Sequence, residues 1–171
     1  QLTGKKAQQF THQQRKKADA ILTTAKTIYK DDPLLNSRLD NKIYKKPLYI
    51  LDTQLSLPAS SKIFDSAERV TIFHNSSLNK VNQLKKQHPD TRFVPIKSDN
   101  DGLNLIAILE YIGLDGKIDL WIEAGGRLFQ AFIQNNLLQH AFIYVAPLWL
   151  GEDTQTAFTF PNPLKKGIPI K

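Results

Sequence analysis

Short apolar runs alternate with helical patterns along this chain, and that alternation constrains its fold most. "PLYILDT", "RVTIFH", "TRFVPI" and "IDLWI" are near-continuous runs of apolar and β-prone residues. Runs of that kind suit strands covered on both faces. Between them lie segments with apolar residues at helical spacing. "SLNKVNQLKKQH" carries Leu78, Val81 and Leu84, with Ser77 placed to cap its start. "GLNLIAILEYIGL" sets Leu103, Ile106, Ala107 and Ile112 along one stripe, and "GRLFQAFIQNNLL" turns Leu128, Phe132 and Ile133 inward. "THQQRKKADAILTT" reads as a polar helix running into a strand at Ala20–Thr23, and "AKTIYKDDP" as a short helix ended by Pro33. "HAFIYVAPLWLG" reads as a long strand ending at Pro147, and "SRLDNKIYKK" and "QLSLPASSKIF" as loops. The pattern predicts an α/β fold, a mixed, mostly parallel sheet flanked by helices. Ligands in such folds bind beyond the carboxyl ends of the strands.

The 171 residues suffice for one domain with a real core. Cysteine is absent, which excludes disulfides, thiolate metal sites and a cysteine nucleophile. The four histidines, His12, His74, His88 and His140, form no H-x-x-x-H pair, so no metal site is expected. No apolar run reaches the roughly 18 residues of a membrane helix, and no segment reads as a signal peptide. The expectation is therefore a cytoplasmic protein with no membrane partner. A net charge of +7 favours anionic partners. Aromatic residues are not interleaved with the lysine clusters, so nucleic acid is not the expected one. The chain starts at Gln1, lacks methionine and turns Pro-rich after Gly151. A single domain over 1–171, incomplete at both ends, is expected.

"LWIEAGGRLFQAFI", Leu120 to Ile133, places an acid and two glycines where a strand passes into a helix. Glu123 falls at the carboxyl end of the strand. Gly125 and Gly126 present bare N–H groups at a helix N-terminus, whose partial positive charge suits a phosphate or diphosphate. The same glycines suit a tight turn that needs a positive φ, and the residues alone leave both open. G-x-G-x-x-G is absent, so a Rossmann dinucleotide site is not expected.

A second constellation lies in "ADAILTTAKTIYKDDPLLNSR", Ala18 to Arg38. Asp31 and Asp32 close a helix at the end where acids oppose the macrodipole. Asp32 has a structural role open to it, as N-cap of a turn begun by Pro33. Asp31 has none, and its natural partners in an anion-binding cleft are sugar hydroxyls or a carboxamide. Thr27 lies one turn earlier on the same helix face. Arg15 and Arg38 flank the segment. Each can clamp a phosphate through two N–H groups, and each also suits an ordinary surface.

In order and spacing, "DAILTTAKTIYKDDPLLNSR", "PLYILDTQLSLP" and "LWIEAGGRLFQAFIQNNLLQHAFIYVAPLWLG" resemble the reductase domain of the bifunctional riboflavin-biosynthesis deaminase/reductase family. The resemblance runs from about Leu2 to Gly151. It implies a dihydrofolate reductase-like fold and reduction of the ribose of 5-amino-6-(5-phosphoribosylamino)uracil, a phosphoribosyl pyrimidine, by NADPH. It implies cofactor contacts at Thr27, Asp31 and Thr53, and along Gly125, Gly126, Arg127, Leu128, Phe129, Gln130 and Ala131. It implies substrate contacts at Arg15, Leu35, Arg38 and Glu123, and it assigns no acid–base catalyst. It also implies a homodimer, and a zinc deaminase domain upstream in the parent chain. The H-x-E and P-C-x-x-C signatures of that deaminase cannot lie in a cysteine-free chain. Gln1 stands where the family often has Trp. Two other classes stand beside the reductase: a non-catalytic basic phosphate- or nucleic-acid-binding module, and a scaffold domain that has lost its site.

Overall fold

A computed structural model describes residues 4–99 and 102–145. In chain order the elements are α1 (Lys5–Lys17), β1 (Ala20–Thr24), α2 (Ala25–Asp31), β2 (Ser37–Leu39), β3 (Lys42–Tyr44), β4 (Pro47–Leu51), α3 (Ile63–Ser66) and β5 (Arg69–His74). There follow α4 (Leu78–Gln87), β6 (Arg92–Pro95), β7 (Ser98–Asp99), β8 (Gly102–Leu103), α5 (Leu105–Leu114), β9 (Leu120–Ile122) and α6 (Gly126–Gln134). The chain divides into two units, 1–123 and 124–171.

The first unit is built on a five-stranded sheet in the order β6-β5-β4-β1-β9. Each neighbouring pair in it is parallel, so the carboxyl ends of all five strands lie along one edge. Leu48, Tyr49 and Ile50 are successive residues of β4 and all are fully buried. Successive strand residues point to opposite faces, so both faces of the sheet are covered, as the unbroken apolar runs require. One core gathers Ile21, Ile28, Leu35, Leu48, Ile50, Ile63 and Ile72, with Trp121 of β9 packed against it. Elsewhere Tyr49 stacks on Phe73 at 6.0 Å between centroids, and Tyr111 of α5 meets Phe73 edge-on at 5.4 Å.

Asp115, just after α5, fastens this aromatic layer. Its carboxylate accepts from the Tyr49 hydroxyl and from the Arg69 guanidinium, and from Arg92 Nη1 at 3.0 Å. Burial pushes the Asp115 carboxyl up, but these donors outweigh it and hold the carboxyl below its ordinary value. Burial and the same carboxylate push the Tyr49 hydroxyl well above its own.

Several expectations are corrected. "SRLDNKIYKK" is not a loop but the antiparallel β2–β3 hairpin, whose turn residues Asp40 and Asn41 have φ of 51° and 58°. Two positive φ values in a two-residue turn match the right-handed twist of the flanking strands. Ile106 is 55% exposed and Leu103 lies outside the helix, so the inner face of α5 is Ile108 and Ile112. Asn104 caps that helix by accepting from the Ala107 N–H at 2.9 Å. Ser77 stands at the N-cap position of α4, but its side chain makes no capping bond. Asp32 does not start a turn. It ends α2 in the left-handed region at φ 38°, and its carboxylate takes the Lys62 N–H at 3.0 Å and the Lys62 ammonium at 3.1 Å.

The second unit is described by itself. Its helix α6 buries Phe132 and leaves Leu128 and Ile133 half-buried. Residues 140–145 form no strand, and the expected end of that strand at Pro147 lies outside the described residues, as do Gln1, Leu2 and Gly151.

Asp115→Ala removes the acceptor shared by Tyr49, Arg69 and Arg92. It is expected to lower stability by about 1–3 kcal/mol, chiefly through the buried Tyr49 hydroxyl and the partly buried Arg69 left unpaired, read as a shift of the urea midpoint at unchanged slope. A loss below about 0.5 kcal/mol would make the cluster incidental.

Candidate active site

The carboxyl edge of the sheet is where a parallel fold gathers loops, and the expected site residues can be traced from it. Glu123 follows the last residue of β9. Its N–H donates to Leu22 O at 2.9 Å, and its carbonyl accepts from the Thr23 hydroxyl at 2.7 Å. Its backbone is therefore tied to β1. Trp121 and Glu123 are two apart on an extended chain, so their side chains share a face. Trp121 Nε1 donates to Glu123 Oε1 at 2.6 Å.

The other partner of Glu123 comes from α1. Arg15 Nε donates to Oε1 at 2.6 Å and Nη2 to Oε2 at 2.7 Å, a two-pronged ion pair. The third guanidinium nitrogen, Nη1, donates to the Asn36 carbonyl at 2.9 Å. The two side chains are only 12% and 22% exposed, so neither charge can be left alone cheaply. Arg15 and Glu123 were expected as ligand contacts, with Arg15 as a phosphate clamp. The fork that would grip a phosphate is already closed on a carboxylate. A carboxylate offers about four lone-pair sites, and Glu123 has three of them filled.

The segment from Asp31 to Arg38 leads from α2 into β2. Leu35 adopts a left-handed φ of 46°, a conformation that costs a branched residue about 1–2 kcal/mol. Burial of its side chain, 1% exposed, offsets that cost and leaves only its backbone for a ligand. Asn36 is buried, and its Oδ1 has no hydrogen-bond partner among the described residues. Ser37 donates its hydroxyl to the His12 carbonyl at 2.7 Å, and the Arg38 N–H donates to His12 Nδ1 at 3.1 Å. The Arg38 side chain is exposed, and its guanidinium makes no ion pair among the described residues.

Thr24 caps α2 by accepting from the Thr27 N–H at 3.3 Å, and the two hydroxyls are 3.0 Å apart. Asp31, one turn on, is exposed, and its carboxylate makes no hydrogen bond or ion pair among the described residues. Thr53 is exposed just past β4, and its carbonyl accepts from the Asn75 N–H at 2.9 Å. Beside it, Asp52 is buried and structural. It accepts from the Ser56 N–H and hydroxyl and from the Leu57 N–H at 2.8–3.0 Å. The structure thus brings Arg15 and Glu123 together with the backbone beside Arg38, and places Thr27 and Asp31 on one helix.

In the second unit Gly125 is the N-cap of α6 at φ −69°, and neither Gly125 nor Gly126 has a positive φ. The turn does not need glycine for its backbone, so that explanation of the pair is removed. A Cβ on Gly125 would meet nothing within 4 Å. Among the described residues no side chain caps α6, and no acid lies in its first turn, which leaves its first N–H groups suited to an anion. Arg127 is exposed there, while Leu128, Phe129, Gln130 and Ala131 are half-buried.

His12, Asn36 and Trp121 were not expected as site residues. His12 is 7% exposed on α1 and was set aside with the other histidines for lacking metal spacing. Its position three before Arg15 puts both on one helix face, and that was the available signal. Burial, then the charges of Arg15 and Arg38, hold its imidazole below the ordinary value of 6.5.

A sequence model of the RibD C-terminal domain matches residues 1–167. A Buchnera aphidicola protein named 5-amino-6-(5-phosphoribosylamino)uracil reductase is 30% identical over 162 residues, covering 90% of this chain and 78% of that one. The Escherichia coli riboflavin biosynthesis protein RibD is 26% identical over 169 residues, covering 94% of this chain and 46% of its own length. Among solved structures, Acinetobacter baumannii RibD superposes with a TM-score of 0.81 at 26% identity, over 96% of this chain and 45% of that one. The Saccharomyces riboflavin reductase Rib7, 17% identical with a TM-score of 0.59, shares the fold over 76% of this chain and 58% of its own. This chain spans less than half the length of the RibD proteins it matches. The parallel sheet flanked by helices is the dihydrofolate reductase-like fold of those reductases.

Two outcomes are expected. Arg15→Ala strands a poorly exposed Glu123 carboxylate and should cost about 2–3 kcal/mol, between surface and buried pairs. Chemical denaturation measures it, and a loss under about 0.5 kcal/mol would mean the pair holds nothing. Second, burial first of all holds both His12 and His74 below 6.5 in the folded chain. The unfolded chain then takes up protons first as pH falls, so stability is level above about pH 7 and declines as pH drops through 6.5 and below. Melting temperatures from about pH 7.5 to 5 check this; the double substitution of His12 and His74 by Asn should flatten the decline, and an unchanged slope would contradict it.

Proposed function

This chain belongs to the RibD C-terminal domain family, and from that premise we propose that it reduces the ribose of 5-amino-6-(5-phosphoribosylamino)uracil to the ribityl form in riboflavin biosynthesis. The reductases of this family draw on a nicotinamide cofactor, and the form proposed here is NADPH. The observation that carries the proposal is a division among charges. Arg15 and Glu123 neutralise each other, whereas Asp31 and Arg38 are exposed on anchored backbone with no charged partner among the described residues. Charges presented in that way, on backbone already ordered, are available to a ligand.

Arg38 is proposed to take the substrate phosphate, which a guanidinium meets through two parallel N–H groups. Arg15 then acts by position, fixing Glu123 and the Asn36 carbonyl. The lone-pair site left on Glu123 is proposed to accept one hydrogen bond from the pyrimidine or ribose, its direction set by Arg15 and Trp121. In the first unit Thr27, Asp31 and Thr53 are proposed cofactor contacts, with Asp31 on hydroxyl or amide donors rather than on phosphate. In the second unit, the uncapped head of α6 at Gly125 and Gly126 suits a diphosphate, and Arg127 to Ala131 continue that segment. NADPH supplies the hydride when bound, and the side chains hold the sugar carbon in place for it. A homodimer and an upstream zinc deaminase domain in the parent chain belong to the same proposal.

Turnover and thermal melting test it together. NADPH at about 100 times its Kd should stabilise the chain by about 2.7 kcal/mol, and NADH less at equal concentration. Asp31→Asn should weaken NADPH about three- to tenfold and leave substrate KM alone, while Arg38→Ala should raise substrate KM about tenfold and spare the cofactor. No NADPH oxidation with the aminouracil, and no rise in melting temperature with NADPH, would end the proposal.

A further inference from the structure

The mechanism above leaves His12 unused, although it is a buried titratable group at the centre of the charged cluster. We propose that His12 is a positioning residue for the substrate: it holds the backbone from which Arg38 reaches the phosphate. The inference rests on the reading of Arg38 as a phosphate contact.

The geometry is specific. His12 Nδ1 accepts the Arg38 N–H at 3.1 Å, and the His12 carbonyl accepts the Ser37 hydroxyl at 2.7 Å. One residue of α1 thus clips two successive residues of β2, and Arg15, one turn along α1, clips Asn36. The Arg38 side chain starts from the backbone that His12 fixes, and nothing among the described residues holds its far end. A long, mobile guanidinium loses less freedom on binding when its root is already placed.

Accepting at Nδ1 requires a neutral ring with its proton on Nε2. The charged groups facing that ring are Arg15 from α1, Arg38 from β2 and Glu123 from the end of β9. Two cations and burial oppose a third positive charge, against one carboxylate already engaged by Arg15. Protonation turns Nδ1 from acceptor into donor, opposite an N–H that then has no partner. His12 therefore keeps the clip closed near neutral pH and opens it in acid.

The test is steady-state kinetics of the full chain with the phosphoribosyl aminouracil, and with the same compound lacking its phosphate. His12→Leu removes the acceptor and should raise KM for the phosphorylated substrate about tenfold, with kcat within about twofold and no change in KM for the phosphate-free compound. His12→Asn places an amide oxygen where Nδ1 stood, without a titrating group, and should restore KM to within about threefold. From about pH 8 to 5.5, KM of the unsubstituted chain should rise more steeply than that of His12→Asn, which retains only the rise from the phosphate's own second ionisation near pH 6. Superposed pH profiles, or an unchanged KM in a folded His12→Leu, overturn the inference. If His12→Leu does not melt cooperatively, the comparison of profiles decides alone. A chain that reduces the aminouracil but gives superposed profiles loses only the role of His12; a chain that does not reduce it loses the proposed function and this role together.

Discussion

The ion pair between Arg15 and Glu123 joins residues 108 apart in sequence, and the site depends on it. It ties the first helix to the end of the strand at the edge of the described sheet. A pair this little exposed is stable only when its other hydrogen-bonding groups are also met. Here they are: the Trp121 indole fills one carboxylate position, and the Asn36 carbonyl takes the remaining guanidinium nitrogen. The pair therefore works as a joint among three parts of the chain, α1, β9 and the approach to β2. Asp19 adds a second tie at the opposite edge of the sheet, its carboxylate accepting the Ile118 and Asp119 N–H groups at 2.9 Å just before β9.

Parallel pairing explains why such joints are needed. Each strand of the sheet begins at one edge and ends at the other, so every crossover returns the chain across a face. The ends of adjacent strands are far apart in sequence, and their register is set by contacts that close long loops. Charge-assisted bonds at the strand ends supply direction that apolar burial lacks. The Asp115 cluster does this at one place and the Arg15 cluster at another.

Much of the fold was legible because it rests on local signals. The runs "PLYIL" and "RVTIFH" are apolar on both faces, and no helix period fits them. The β2–β3 hairpin was missed although Asp40-Asn41 carries the turn chemistry, because three-residue strands show too little alternation to read. The exposed Ile106 misled the assignment of the inner face of α5, where Ile108 and Ile112 do the packing. The site was legible as a set of residue types and much less as a set of roles. Arg15 and Glu123 were read as two separate ligand contacts, and their pairing was not foreseen because contact across 108 residues leaves no trace in local sequence. His12 was weighed as a metal ligand and dismissed, whereas its single acceptor nitrogen serves the backbone of Arg38. The two glycines were read as either a turn or an anion site, and the negative φ of Gly125 shows that the turn does not require glycine there.

The segment between Asp31 and Arg38 shows how this chain separates anchoring from presentation. Asp32 is held by Lys62, and the Leu34 carbonyl accepts the Ser66 hydroxyl at 2.6 Å. Leu35 is sunk in the core, Asn36 is held by Arg15, and Ser37 by His12. The bonds at Leu34, Asn36 and Ser37 are buried or part-buried, while the Asp32–Lys62 pair lies at the surface. The two residues that bound the segment, one acidic and one basic, have their backbones fixed by it and their charges left outside. With the backbone fixed in this way, a polar ligand meeting the two charges, as proposed, would find little backbone left to order. The left-handed bend at Leu35 lies between the end of α2 and the two residues, Ser37 and Arg38, that are bonded to His12 of α1.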